Sequence, residues 1–268
     1  MDLKAGKKVF FVSDIHLGTP DFKSSREREI KLVQWFEHHE TQAAAFYILG
    51  DLFDFWFEYA EVVPKGYVRI LGKLADLRDK GIPVYFFTGN HDLWMFGYFE
   101  KELNIQVNKA PQRIEINNKK FLIGHGDGLG PEDHGFKRMK KIFTHPFCQK
   151  LFSFLHPDIG IKIANFWSRR SRLSNGEIPL ETFNGKENEW LYCYADKKLE
   201  EEYFDYFIFG HRHLPLDLKV KNKSQYINLG DWLNYYSYAE FDGENLTLKY
   251  YNTDSATSER TAGEHIKI

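Results

Sequence analysis

An α/β (α+β) fold carrying a helical insertion is what this sequence predicts, and three observations predict it. Short apolar runs rich in Val, Ile, Phe and Tyr recur and stop at turn residues, as buried strands do. Charged stretches with apolar residues at helical spacing separate the early runs. A basic, aromatic-rich stretch then interrupts the alternation after residue 127. The 268 residues suffice for one large domain with such an insertion. The expected boundaries are 1–127 with 201–252 for the core, 128–200 for the mainly helical insertion or lid, and 253–268 for a polar, frayed tail.

In chain order, residues 8–12 are the first buried strand, which runs into Ser13-Asp14-Ile15-His16-Leu17-Gly18. Asp14 and His16 are two apart, so an extended backbone points both side chains the same way. Residues 24–39 space Ile30, Leu32, Val33, Trp35 and Phe36 for an amphipathic helix, with His38 and His39 expected exposed at its polar end. Residues 45–49 are a second strand, ending in Gly50-Asp51. Residues 68–80 form a helix that Gly81 stops. Residues 83–88 are a third strand, ending in Gly89-Asn90-His91-Asp92. Asn117-Asn118 joins two short strands into a hairpin, and the second ends in Gly124-His125-Gly126-Asp127. Residues 188–202 read as a further helix. Residues 206–209 are a fourth buried strand, ending in Gly210-His211-Arg212-His213. Residues 226–229, 238–241 and 246–251 close the fold as strands.

The insertion differs in texture. Residues 134–172 hold nine Lys or Arg and one acid, Asp158, among aromatic and aliphatic residues at mostly helical spacing, with breaks at Pro146 and Pro157. Such a surface suits anionic or lipid-like matter; the plainer alternative is helices packed on the core with solvated lysines. Aromatics reach 17% of the chain and need a core or an apolar binding surface. The net charge of −2 gives no reason to expect nucleic acid as a partner. Cys148 and Cys193 make no disulfide framework, suit a reducing compartment and read as packing residues. Residues 1–6 are polar and the apolar run after them is short, so neither a secretory signal nor a spanning helix of about 20 residues is expected. The expected location is cytoplasmic.

Five times, then, a strand ends in a small residue followed by Asp, Asn or His. One such turn is unremarkable; five are not. If the strands lie side by side, their ends converge. Two carboxylates, one amide oxygen and four imidazoles would meet, with no thiolate. That set exceeds what one tetrahedral zinc needs and fits a metal pair with one bridging carboxylate.

The ordered blocks Asp14-x-His16, Gly50-Asp51, Gly89-Asn90-His91-Asp92, Gly124-His125-Gly126-Asp127 and Gly210-His211-x-His213 resemble the calcineurin-like metallophosphoesterases across residues 9–251. The resemblance implies a sandwich of two mixed sheets flanked by helices, with a two-metal site at the strand ends. By matching motifs, Asp14, His16 and His213 would hold one metal. Asn90, His125 and His211 would hold the other, and Asp51 would bridge them. His91 would assist the leaving group, and Asp92 would orient it. With two cations roughly 3.5–4 Å apart, a phosphoryl group would be clamped and a bridging water acidified toward neutrality. Oxygen and imidazole ligands suit Mn²⁺, Mg²⁺, Fe or Zn²⁺, and Mn²⁺ is the expected cation.

A closer resemblance rests on Ser13-Asp14-Ile15-His16-Leu17-Gly18, on Gly50-Asp51-Leu52-Phe53-Asp54-Phe55-Trp56 and on the long helical insertion after Asp127. These are similar to the bacterial UDP-2,3-diacylglucosamine hydrolases of lipid A synthesis. Those enzymes release UMP and a lipid 1-phosphate at the inner face of the inner membrane. The resemblance implies a nucleotide-linked glycolipid substrate and a peripheral membrane position. Insertion helices would wrap acyl chains, and Phe136 and Ser171 fall in stretches that track the pocket lining. Arg169, Arg170 and Arg172 would pair with phosphate oxygens. Trp56 and Phe57 would either floor the pocket or pack the core. His91 departs from the best-known members, which carry Arg there. Two readings stay open beside this one: the same chemistry on a soluble nucleotide or other phosphoester, and a non-catalytic relative that binds membrane or partners.

Overall fold

The computed structural model describes residues 1–130, 134–173, 182–221, 223–251 and 259–261, without the side chains of 134–136, 165, 167–173 and 259–261. The first half alternates strand and helix: β1 (Lys8–Val12), α1 (Phe22–His39), β2 (Ala43–Leu49), α2 (Val68–Asp79), β3 (Val84–Phe87), α3 (Tyr98–Glu102) and β4 (Gln106–Asn108). Its four strands pair in parallel. The hairpin β5 (Gln112–Ile116) and β6 (Lys119–Ile123) turns through Asn117 and Asn118 at φ 49 and 60. Asparagine tolerates that left-handed conformation, and two such residues match the strand twist.

Three insertion helices follow: α4 (His134–Phe143), α5 (Pro146–Ser153) and α6 (Pro157–Leu173). Pro146 and Pro157 open α5 and α6, where a missing N–H costs nothing. The chain returns through α7 (Trp190–Glu201), β7 (Tyr206–Phe209), β8 (Pro215–Val220), β9 (Ser224–Leu229), β10 (Ser237–Phe241), β11 (Leu246–Tyr251) and β12 (Glu259–Thr261).

Two mixed sheets result, with strand orders β12-β11-β10-β1-β2-β3-β4 and β5-β6-β7-β9-β8. Side chains alternate across β1: Phe10 and Val12 face α1 and α2, while Val9 and Phe11 face the second sheet. Burial on both faces is why its sequence is an unbroken apolar run. Between the sheets, Phe11, Leu49, Ile123, Ile208 and Leu229 pack together. Outside the first sheet lie Leu32, Trp35, Phe36, Leu74 and Leu77 from α1 and α2. Each such side chain contributes roughly 1.5–3 kcal/mol by leaving water. Outside the second sheet, Leu191 and Ala195 of α7 pack on Phe207, Phe209 and Tyr226. That contact ties α7 to the core, although the sequence boundaries put it within the insertion.

Four details differ from the sequence reading. His39 is buried, its ring 4.4 Å from Phe10 and 5.2 Å from Tyr238, because it falls seven residues after Leu32 on the apolar face of α1. β8 was not expected; it opens on Pro215 and its exposed face carries Asp217 and Lys219, which weakens its apolar signal. The polar tail supplies β12, which pairs with the free edge of β11. Cys148 and Cys193 are free thiols and partly exposed rather than core residues.

Two polar contacts from α1 shape the site below. Buried Arg28 donates to the carbonyl oxygens of Ile15 and His16 at 2.7 Å, and of Thr19 at 2.5 Å. Buried Glu29 accepts from the backbone N–H of Arg69 and of Ile70, the open N-terminus of α2.

Candidate metal centre

Parallel pairing in both sheets brings the carboxyl ends of β1, β2, β3, β6 and β7 to one edge of the sandwich. The five turns meet there. Backbone bonds knit neighbouring turns within each sheet: Asp14 N–H donates to Gly50 O, His16 N–H to Asp51 O, and Gly210 N–H to His125 O. Asp14, His16, Asp51, His211 and His213 all adopt positive φ, between 49 and 68. Left-handed backbone at non-glycine residues is costly and clusters at functional sites. At Gly89 a side chain would collide with the Asp51 carboxylate, and at Gly210 with Ser13 and Asp14, so only glycine admits the close approach.

The seven expected ligands form one continuous chain of short contacts. His16 Nε2 lies 3.2 Å from His213 Nε2 and 3.8 Å from Asp14 Oδ1, which is 3.4 Å from His213 Nε2. Asp51 Oδ2 lies 3.7 Å from His16 Nε2 and 3.2 Å from His125 Nε2, so it stands between two groups of donors. His125 Nε2 is 3.1 Å from Asn90 Oδ1, which is 2.9 Å from His211 Nδ1. Asp14, His16, Asp51 and His125 are buried on the floor; Asn90, His211 and His213 are partly open on the rim.

The donors fit divalent cations. Buried Asp14 Oδ1 meets no hydrogen-bond donor among the described residues, which would be costly for a carboxylate that nothing else compensates. Carboxylates at their ordinary pKa would not survive this burial. Desolvation raises Asp14, yet His125, His16 and His213 hold it down at about 2. Asp51 is held well below its ordinary value against the same desolvation, chiefly by His125 and His91. In return, burial would lower His16, and the neighbouring carboxylates of Asp14 and Asp54 raise it to about 9. His125 is likewise held well above its ordinary value, against desolvation, by Asp51 and Asp14. Burial and the charge of His125 push His211 down to about 4. The polarity is that of a cation site, with protons held at His16 and His125.

Groups behind the donors fix their rings. His125 Nδ1 lies 2.8 Å from Leu49 O, and His213 Nδ1 lies 3.2 Å from Asp231 Oδ2. A partner at Nδ1 leaves Nε2 turned to the centre. Asp231 is itself pinned by the N–H groups of Asn234 and Tyr235. Asp54 Oδ1 lies 3.5 Å from His16 Nδ1. The sequence reading assigned no role to Asp54, Asp231 or Arg28. Asp231 had a signal, since Gly230-Asp231 ends β9 as Gly50-Asp51 ends β2. Arg28 had none, being one charge in a charged helix.

Asp92 does not orient His91. Its carboxylate accepts from Gly89 N–H at 2.7 Å, Leu52 N–H at 2.9 Å and Asp51 N–H at 3.3 Å, and so clamps two turns together. Asp54 takes the expected role instead: His91 Nδ1 lies 2.9 Å from its carbonyl oxygen.

An apolar cavity of about 370 Å³ opens beside Asn90 and His91. Phe55, Trp94, Phe143, Phe152, Leu155 and Ile163 line it, so core loops and all three insertion helices contribute walls. Trp94 anchors the insertion by donating Nε1–H to Phe143 O at 2.7 Å and by packing on Phe152 at 4.8 Å. Trp56 is fully buried, stacked on Phe53 at 4.3 Å, and Phe57 is buried too. Both pack the core, and Phe55 takes the lining position expected of Trp56. The side chains of Phe136, Arg169, Arg170, Ser171 and Arg172 lie outside the described residues.

Residues 7–215 match the calcineurin-like phosphoesterase family. The chain belongs to that family. It is a metal-dependent hydrolase, and its two mixed sheets with flanking helices are the fold expected of such phosphoesterases. A UDP-2,3-diacylglucosamine hydrolase of Porphyromonas gingivalis is 38% identical over 256 residues, covering 90% of this phosphoesterase and 97% of the relative. A protein of the same name from Histophilus somni is 29% identical over 230 residues, with 84% and 92% covered. A solved phosphoesterase from E. coli covers 95% of this chain and 98% of its own at 17% identity, with a TM-score of 0.46; at that distance it adds nothing to the assignment.

Proposed function

We propose that this phosphoesterase cleaves the pyrophosphate of UDP-2,3-diacylglucosamine to UMP and 2,3-diacylglucosamine 1-phosphate. One observation carries the reading: the donor cluster opens directly into an apolar cavity, through Asn90 and His91. A nucleobase needs only one or two rings to stack on, whereas a pocket walled throughout by Phe, Trp, Leu, Met and Ile suits acyl chains. The relatives named for this substrate match nearly the whole chain.

In this reading Asp14, His16 and His213 would hold one divalent cation, Asn90, His125 and His211 a second, and Asp51 both. The cations, Mn²⁺ by expectation, supply Lewis acidity and a nucleophile usable at neutral pH. The chain's own residues do the rest. The apolar cavity excludes water and fixes the lipid half, so the scissile bond is presented in one orientation. His91 faces that bond from the cavity mouth. Burial lowers its pKa, so the resting ring is neutral, with Nδ1–H on Asp54 O and Nε2 free. An arriving phosphoryl charge favours the imidazolium, which can then neutralise the leaving oxygen. The proposal also assigns Phe136 to the acyl chains, and Arg169, Arg170 and Ser171 to phosphate oxygens.

The insertion suits a membrane surface. Phe147 and Phe154 are 69% and 75% exposed, Leu151, Ile159 and Phe166 are exposed on the same insertion, and α4 and α5 carry Lys140, Lys141 and Lys150. Apolar tips among cations seat on anionic headgroups. No helix among the described residues is long and apolar enough to cross a membrane. We place the enzyme on the cytoplasmic face of the inner membrane as a peripheral protein.

The deciding experiment incubates Mn²⁺-loaded protein with UDP-2,3-diacylglucosamine and measures UMP. Release of UMP, suppressed by Phe152→Asp and by excess chelator, is the expected result. Turnover of a small phosphodiester with no UMP from the glycolipid would move the enzyme to a soluble substrate.

A further inference from the structure

A second cavity, of about 460 Å³, reaches the same donors through His125. Its walls are also largely apolar, but they carry four lysines where the first cavity has one. Lys109, Lys137, Lys140 and Lys141 face a single carboxylate, Asp127. Lys140 Nζ donates to Asp127 Oδ2 and also lines the apolar cavity, so this ion pair stands in the partition between the two. Lys137 is engaged by Gly130 O. Lys109 and Lys141 are exposed, and neither pairs with a carboxylate among the described residues. The donors stand between the two cavities: Asn90 lines the first, His125 the second, and the two side chains touch at 3.1 Å.

We propose that the lysine-lined cavity holds the nucleotide half of the substrate, a nucleoside monophosphate unit, while the apolar cavity holds the acyl half. This rests on the substrate reading above. An amphiphilic pyrophosphate cut between its halves needs one greasy site and one cationic site, joined at the reacting phosphorus. Lysines bind phosphate as point charges through charge-assisted hydrogen bonds. The volume lies in the range of small-molecule sites and far exceeds a lone phosphate. Lys140 belongs to both cavities and so marks the junction where the bond would lie.

The test is calorimetric titration of UMP into full-length, Mn²⁺-loaded protein, wild type and the double variant Lys109→Ala/Lys141→Ala. Both lysines are exposed, so the double variant should fold. UMP affinity should fall about tenfold or more, and Lys109→Arg/Lys141→Arg should restore most of it. Uridine and inorganic phosphate, titrated separately into wild type, should each bind at least about tenfold more weakly than UMP. Affinity for the lipid 1-phosphate should move little in the same double variant. Equal UMP affinity in wild type and double variant would overturn the assignment, as would a matching loss of both products. If wild type binds UMP through these lysines yet releases none from UDP-diacylglucosamine, the cavity assignment stands and the substrate reading falls. If UMP is released and the double variant binds it as wild type does, the cavity assignment alone falls.

Discussion

The Nδ1 atom of His91 lies 2.9 Å from the carbonyl oxygen of Asp54, while the carboxylate of Asp92 is spent on backbone N–H groups. The contact fixes the ring and leaves Nε2 as the atom that would meet substrate in the proposed mechanism. His91→Asn should therefore lower kcat by about 10²-fold or more and move KM much less, since in the proposed mechanism the lost interaction would form with the leaving oxygen. The pH–rate profile should also lose one limb. Steady-state kinetics on the Mn²⁺-loaded enzyme reads both. A variant that raised KM with kcat intact would place His91 in substrate binding alone.

Asp92 separates from His91 in a stability measurement. Asp92→Ala leaves the N–H groups of Gly89, Asp51 and Leu52 without their acceptor in a buried turn. Buried orphan donors cost about 1–3 kcal/mol each before relaxation, so a loss of roughly 2–4 kcal/mol is expected in denaturant unfolding. His91→Asn should leave the unfolding midpoint nearly unchanged. An orienting partner of His91 would show the reverse pattern, with activity lost and stability kept.

Arg28 holds the first metal turn from outside it. Its guanidinium joins α1 to the carbonyl oxygens of Ile15, His16 and Thr19. Arg28→Met keeps much of the stem and removes every donor. Stability should drop by about 2–4 kcal/mol, and metal affinity should fall with it, because His16 loses the support of its own backbone. Denaturant unfolding and metal titration on the same protein check the pair. A stability loss with unchanged metal affinity would mean the turn keeps its shape unaided.

Much of the site was legible because ligands at strand ends are a local pattern. Gly50-Asp51 and Gly210-His211-Arg212-His213 declare themselves in a few residues, and buried parallel strands announce their own ends. What escaped notice is long-range. Arg28 acts on a turn a dozen residues earlier. Asp54 acts through its backbone carbonyl, which no side-chain pattern can advertise. Asp92 sits beside His91 in sequence, and adjacency suggested a partnership that the turn geometry forbids. His39 looked like a polar helix end, although its position relative to Leu32 put it on the apolar face. β8 hid behind Pro215 and its charged outer face.

Metal uptake should depend on pH in a direction that the buried imidazoles dictate. In the metal-free protein His16 is raised to about 9, and His125 is raised well above its ordinary value, because carboxylates outweigh their desolvation. The unfolded chain titrates its imidazoles near 6.5. The folded state thus binds these protons more tightly than the unfolded one. That contribution to stability is complete below pH about 6.5 and is lost as pH rises through about 9. Divalent cations need the same nitrogens unprotonated, so binding expels protons and apparent affinity climbs over that window. With chelator, Tm should decline from pH 6.5 toward 9. With saturating Mn²⁺ the decline should flatten, because the cation takes over the work of the lost protons. Calorimetry in buffers of different ionisation enthalpy reads the protons released. Affinity that stays constant across the window would mean that His16 and His125 carry no proton to displace, and the raised pKa values of the metal-free site would be refuted.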